Sequence, residues 1–195
     1  MQAEFDELYE FVKISSASFD ESHDVSHAVA VYNNTIKIAE TYKNTMEMDI
    51  LMYASMLHDV CDHKYPNSIK EEELMKFIVG KLGKKNAIRV MNIINNISFS
   101  KQVKDLRKKP IYPDCMYLDI VSDADRLEAI GQIGIDRCIT YTTASGGIVP
   151  DDVINHCHEK LLRLKDEYIV TFKGKELAEP LHQVILDYVD SQTNV

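Results

Sequence analysis

The sequence predicts an all-α, single-domain protein, and three observations carry that expectation. Apolar residues recur at three- and four-residue spacing in one stretch after another, which is the period of an amphipathic helix. Glycine and proline are scarce, 7 and 5 among 195 residues, which suits long helices joined by short links. No stretch looks convincingly like a strand. One domain is expected over 1–195, with a core at about 20–135 and C-terminal helices at 150–193 packed on it.

The first helix is expected over 2–17, where Phe5, Leu8, Tyr9 and Val12 share a side. The polar run 18–24 reads as a loop, and Asp24 or Ser26 can cap the next helix, over 25–42. His27 sits in its first turn, on the side that carries Val31 and Ile38. After a break at 43–45 a third helix is expected over 48–60. A polar loop with a proline follows at 62–67, and Ser68-Ile69-Lys70-Glu71 reads as a capping box that opens a helix to about Leu82. Gly83 ends that helix, and another covers 85–97 with Ile88, Met91 and Ile94 in step. Residues 99–113 read as a long irregular link rich in lysine.

The helix expected over 116–130 is apolar on two sides and therefore central, and 133–143 continues as helix. Ala144-Ser145-Gly146-Gly147 breaks the chain. Pro150-Asp151-Asp152 then starts a helix to about Leu164, with proline in the first turn and acids near the positive end of the dipole. The last helix is expected over 175–191.

Composition narrows the function. The net charge is −9, from 31 acidic and 22 basic residues, which argues against a broad nucleic-acid surface. It is compatible with small anionic substrates, because a metal and a few cations reverse the local sign. The four cysteines, Cys61, Cys115, Cys138 and Cys157, form no Cys-x-x-Cys and read as reduced core thiols of a cytoplasmic protein. No signal-peptide pattern and no membrane-spanning run is found. The acidic surface and partly apolar terminal helices allow a homodimer.

The chemistry concentrates in LMYASMLHDVCD, residues 51–62. Leu51, Ala54, Ser55 and His58 share one helical face, so a small and apolar stripe runs into an imidazole followed by a carboxylate. A core face rarely ends in adjacent ionisable groups unless something pairs with them, and a divalent metal satisfies both. On the 116–130 helix, Leu118, Val121, Asp125 and Ala129 form one stripe, whereas Asp123 falls with Asp119 and Arg126 on a more polar sector. Asp125 is thus the carboxylate expected to face inward. His27, His58, Asp59 and Asp125 together make a mixed nitrogen and oxygen site for a divalent ion.

At this point the chain resembles the HD-domain superfamily of metal-dependent phosphohydrolases, and most of all its small standalone bacterial-type members. The resemblance rests on His27, then His58-Asp59, then Ala124-Asp125-Arg126-Leu127, in that order. It extends to Ser22-His23-Asp24, to Ile97-Ser98-Phe99-Ser100, to SDADRLEAIGQIGI at 122–135, to HCHEKLLRLK at 156–165 and to TFKGKELA at 171–178. It implies a helical fold, His27, His58, Asp59 and Asp125 as metal ligands, and hydrolysis of a phosphate ester or anhydride. Nucleotides are the usual substrates, so a nucleotidase or a nucleoside triphosphate pyrophosphohydrolase is expected. The metal is Mn, Mg, Co, Ni or Fe, as one ion or a pair. Related sequences often carry Arg three residues after the first His, where this chain has Ala30.

Asp62, one turn beyond the pair, is the candidate base or water-orienting group, acting with Asp59. Related hydrolases place a functional Glu or His at the matching position. Lys64 and Arg126 are candidate phosphate clamps, and Arg126 also has Asp123 at i, i+3. His23, in the loop leading to His27, and His156, at i, i+4 from Lys160, are further candidates for substrate contact. The cationic run 101–109 reads as a solvated link or as a phosphate-gathering lid. Two other readings stand beside the hydrolase. One is a non-catalytic metal- or nucleotide-binding module. The other is a di-iron oxygenase on the same fold, which needs further histidines between His58-Asp59 and Asp125, where this chain has His63 alone.

Overall fold

A computed structural model describes residues 2–20, 23–42 and 44–193. Ser22, in the run before His27, and Lys43, in the expected break, lie outside the described residues. Among the described residues there are nine α-helices and no strand, as the spacing predicts. The chain divides into two compact units, Met1–Ser122 and Asp123–Val195.

In the first unit, α1 (Gln2–Ser15), α2 (Val25–Ala39) and α4 (Glu71–Ile97) pack around α3 (Met48–Leu57). Every residue of α3 from Ile50 to Leu57 is buried, because MDILMYASML carries no charge beyond Asp49 in its first turn. Leu8 and Val12 of α1, Val31 and Ile38 of α2, and Leu74 and Ile78 of α4 complete that core. Each such side chain is worth about 1.5–3 kcal/mol when fully buried.

The α-helical part of α3 stops at Leu57, three residues short of the expected end. The His58 ring accounts for it, because its Nδ1 donates to the Ser55 carbonyl at 2.7 Å. An imidazole thus caps the carbonyl end of the helix, and His58-Asp59 sits in the turn beyond it. At the start of α2, Asp24 is the cap: its Oδ1 accepts the N–H groups of Ser26 at 2.8 Å and His27 at 3.1 Å.

The capping box expected before α4 does not form. Lys70 holds the N-cap position without a side-chain bond, and the Ser68 N–H donates to the Tyr65 carbonyl. Three glutamates, Glu71, Glu72 and Glu73, occupy the positive end of the helix dipole instead. Gly83, at φ +74°, kinks α4 where the sequence places a helix end. Beyond it Ala87, Val90, Met91 and Ile94 face the core, and Ile88 is exposed.

The 99–113 link contains a short helix, α5 (Phe99–Val103), and is tied to its surroundings. Lys101 Nζ donates to the Asn95 carbonyl at 2.6 Å, and Lys109 pairs with Asp119 at 2.9 Å. Arg107 reaches the Ile97 carbonyl at 3.0 Å and Ser122 Oγ at 2.8 Å. These bonds favour the link over the lid.

Helix α6 (Asp114–Leu127) begins in the first unit and ends in the second. Within the second unit, α7 (Gly131–Ala144) packs on both α8 (Asp151–His156) and α9 (Phe172–Thr193). The helix expected to run to Leu164 starts as α8 and continues as two π-helical turns, Cys157–Leu161 and Leu164–Tyr168. Pro150 takes the N-cap position of α8, one residue before the expected first turn. Helix α9 begins at Phe172, three residues before its expected start. Among the described residues, no helix is long and apolar enough to cross a membrane.

Candidate metal centre

Three donors expected from the sequence meet in the first unit. His27 Nε2 lies 3.6 Å from Asp59 Oδ2, and His58 Nε2 lies 3.1 Å from the same oxygen. The two imidazole rings are 5.2 Å apart, centroid to centroid. His27 is 6% exposed and His58 9%, so bulk water screens little of what happens between them. Helix α2 sets His27 through the Asp24 cap, and α3 sets His58 through the Ser55 carbonyl.

The donor chemistry fits a divalent cation. A carbonyl only accepts, so His58 Nδ1 carries the hydrogen and a neutral His58 presents the Nε2 lone pair to Asp59. Ligating histidines are commonly oriented in this way, with the second ring nitrogen bonded to a backbone carbonyl. A cation between two such nitrogens and a carboxylate satisfies all three. Cys61, two residues on, stays a thiol at neutral pH, because burial, Glu71 and Glu73 push it up to about 11.

Around this centre lie three more expected residues. Asp62 Oδ2 is 3.0 Å from Lys64 Nζ, and its Oδ1 accepts the Lys64 N–H at 3.0 Å. Lys64 Nζ is also 3.2 Å from His23 Nε2, and the His23 ring lies 6.1 Å from that of His27. Sequence reasoning missed Asp20 and Tyr65, which bond to His23 on its other side. The only local signal for them is a carboxylate three residues before His23 and an aromatic beside Lys64.

The other expected residues belong to the second unit. Asp125, half-buried on α6, has Oδ2 3.2 Å from Arg126 Nη1. Asp123, which the sequence placed on a more polar sector of this helix, is buried too. Asp123 is fully buried and accepts the backbone N–H groups of Val170 at 3.0 Å and Thr171 at 2.7 Å. Burial raises its pKa, against the lowering effect of those bonds and of Arg126. Arg126 itself is 2% exposed, and burial lowers its pKa against the pull of Asp125 and Asp123. From this buried position the guanidinium pairs with Asp125. His156 is half-buried, and burial and the neighbouring Lys160 charge lower its pKa against Glu159. His63 and His158 are exposed.

Elsewhere in the first unit, a groove of about 580 Å³ runs along α4 and the 99–113 link. Asn92, Asn95, Asn96, Lys101 and Lys108 line it, and none of the expected site residues does.

No protein-family model matches the chain. Individual relatives do. The Bacillus subtilis protein YpgQ is 35% identical over 184 residues, covering 90% of this chain and 86% of YpgQ. The crystal structure of YpgQ in complex with ADP superposes at TM-score 0.78 with 28% identity, over 99% of this chain and 95% of that one. An HD-superfamily hydrolase from Bacillus thuringiensis superposes at TM-score 0.77 with 27% identity, over 98% and 96% of the two chains.

Proposed function

This chain belongs to the HD-domain superfamily of metal-dependent phosphohydrolases, and from that premise we propose that it cleaves a phosphate ester or anhydride of a nucleotide. The observation that carries the reading is the convergence of His27 Nε2 and His58 Nε2 on one oxygen of Asp59. That YpgQ binds ADP supports a nucleotide as the ligand here. A nucleoside triphosphate pyrophosphohydrolase and a nucleotidase are the two forms this activity takes. All 195 residues act as one functional domain in this reading.

His27, His58 and Asp59 are the proposed ligands within the first unit. Asp125 is the fourth, on the order of the motif along the chain, with Arg126 orienting its carboxylate at 3.2 Å. Two imidazoles with carboxylates suit Mn²⁺ and its first-row neighbours better than Mg²⁺, which prefers oxygen alone. When bound, the ion supplies Lewis acidity and a more acidic water.

The remaining work falls to the chain itself. Asp62 orients the attacking water and accepts its proton, beside Asp59 in sequence and held by Lys64 at 3.0 Å. Lys64 and His23 contact the substrate's phosphate from the loop side of His27, and His156 is a further substrate contact. The four cysteines are all free, which suits the reducing cytoplasm.

The experiment that tests the nucleotide assignment is a thermal shift in the presence of Mn²⁺. ADP raises the melting temperature at concentrations where adenosine and ribose 5-phosphate do not. Equal shifts from all three, or none from ADP, would remove the nucleotide from the proposal.

A further inference from the structure

The 99–113 link differs in charge from the rest of the chain. Lys101, Lys104, Arg107, Lys108 and Lys109 stand against Asp105, a net of +4. The other 180 residues carry 17 basic and 30 acidic side chains, a net of −13. The same segment exposes large apolar groups. Val103, Leu106, Ile111 and Tyr112 are at least half exposed, Leu106 at 62% and Ile111 at 89%. Neighbouring apolar groups left in water among polar ones mark a surface that meets another molecule.

Hydrogen bonds hold these groups in place. Asp105, at φ +53°, turns the chain after α5, and the Leu106 N–H donates to the Lys101 carbonyl at 2.8 Å. Asn96 Oδ1 accepts the Lys108 N–H at 2.8 Å, and Asn96 Nδ2 donates to the Asn92 carbonyl at 2.8 Å. An ammonium has three hydrogens, and the Asn95 carbonyl takes one from Lys101 at 2.6 Å. Between the segment so fixed and α4 lies the groove of about 580 Å³, a volume in the range of ligand clefts. Leu106 and Pro110 are its apolar lining, Lys101 and Lys108 its cations, and Asn92 and Asn95 bring carboxamides. Glu71 lines it as well, so two cations meet one acid.

We propose that this groove docks an extended acidic segment of another protein, one in which apolar side chains alternate with carboxylates. Successive side chains of an extended chain point to opposite faces. The carboxylates meet Lys101 and Lys108, and the apolar groups cover Leu106 and Pro110. A carboxamide both donates and accepts, so Asn92 and Asn95 suit the N–H and C=O groups of a peptide backbone. Other occupants match the groove less well. A second copy of the chain, related by a two-fold axis through the segment, would set +4 against +4. A bilayer is flat and does not enter a groove. A polynucleotide engages the lysines and leaves Leu106 and Ile111 in water. None of the proposed metal ligands lines the groove, so the proposal is independent of the hydrolase reading.

The test is fluorescence anisotropy of a labelled peptide of alternating glutamate and leucine titrated with the full chain. The expected result is saturable binding that tightens as salt is lowered, because the carboxylates and lysines attract across a partly exposed surface. Nitrogen-15 spectra show the side-chain amide resonances of Asn92 and Asn95 moving as the peptide is added. Lys108→Glu and Leu106→Ser each weaken binding about tenfold. Lys104→Glu makes the same charge change in the same segment but outside the groove lining, and it weakens binding less than about threefold. All three positions are exposed, so the melting temperatures of the variants match the wild type. No binding of the peptide, equal binding of a glutamate–serine peptide, an equal loss in Lys104→Glu, or amide resonances that stay in place overturns the proposal. Tighter binding of phosphatidylglycerol vesicles or of oligouridylate overturns it as well, and assigns the segment to a membrane surface or to nucleic acid.

Discussion

The His58 ring donates from Nδ1 to the Ser55 carbonyl at 2.7 Å and turns its Nε2 onto the Asp59 carboxylate at 3.1 Å. One side chain thus ends a helix and aims its second ring nitrogen at the neighbouring carboxylate. His58→Ala removes both functions. Its metal affinity falls by more than the ~10–100-fold typical of losing an outer partner, because a ligand itself is gone. Metal content after dialysis checks this, and wild-type occupancy in the variant would take His58 out of the centre.

Asp123 holds the segment before α9 by its backbone, through Val170 and Thr171. Asp123→Ala strands buried N–H groups and is expected to cost about 3 kcal/mol. Gly174→Ala presses the same place. An added Cβ would lie 2.6 Å from Thr171 Oγ1 and 2.8 Å from Asp123 Oδ2, for a cost of about 1–3 kcal/mol. Urea unfolding measures both, and a loss below about 0.5 kcal/mol in each would show that the segment is held elsewhere.

His156 gives a pH dependence of definite sign. Its folded pKa lies below the ordinary histidine value, owing to burial and Lys160. The unfolded chain therefore binds the proton more readily, and stability is full above about pH 6.5 and declines as pH falls below it. His156→Gln flattens that decline. Melting temperatures of both proteins between pH 5 and pH 8 provide the comparison, and parallel curves would assign the acid sensitivity to other groups.

The thiols follow burial. Cys157 is fully buried, and its pKa is pushed up to about 11 by burial, with a smaller contribution from Cys138. Alkylation of the folded protein at pH 8 leaves Cys157 unmodified, and unfolding in urea exposes it, because the thiolate is the nucleophile. Mass spectrometry of the labelled peptides reads the site, and rapid labelling in the native state would mean that the 157–161 π turn opens easily.

Much of this was legible in the sequence where the signal is local. The stripe Leu51, Ala54, Ser55, His58 foretold a buried helix that ends in an imidazole, and α3 is buried throughout from Ile50. Of the two caps the sequence allows, Asp24 and Ser26, the helix uses Asp24, and His27 falls in the first turn as expected, because capping is a matter of two or three positions. What failed depends on distant chain. The α6 register put Asp123 on a polar sector, yet it is buried, because backbone donors 47 and 48 residues away come to it. Asp20 and Tyr65 are 45 residues apart, and no spacing rule joins them. Ser68 looked like a helix cap, but its N–H is taken by a turn on Tyr65.

The central claim is a metal-dependent phosphohydrolase centred on His27, His58 and Asp59. Its most direct test measures phosphate and pyrophosphate released from nucleoside mono-, di- and triphosphates, with Mn²⁺, Co²⁺, Ni²⁺ or Mg²⁺, for the wild type and for Asp59→Ala. The account predicts metal-dependent release that is lost in Asp59→Ala, which remains folded. Release that persists undiminished in Asp59→Ala, or none from folded, metal-loaded wild type, would contradict it.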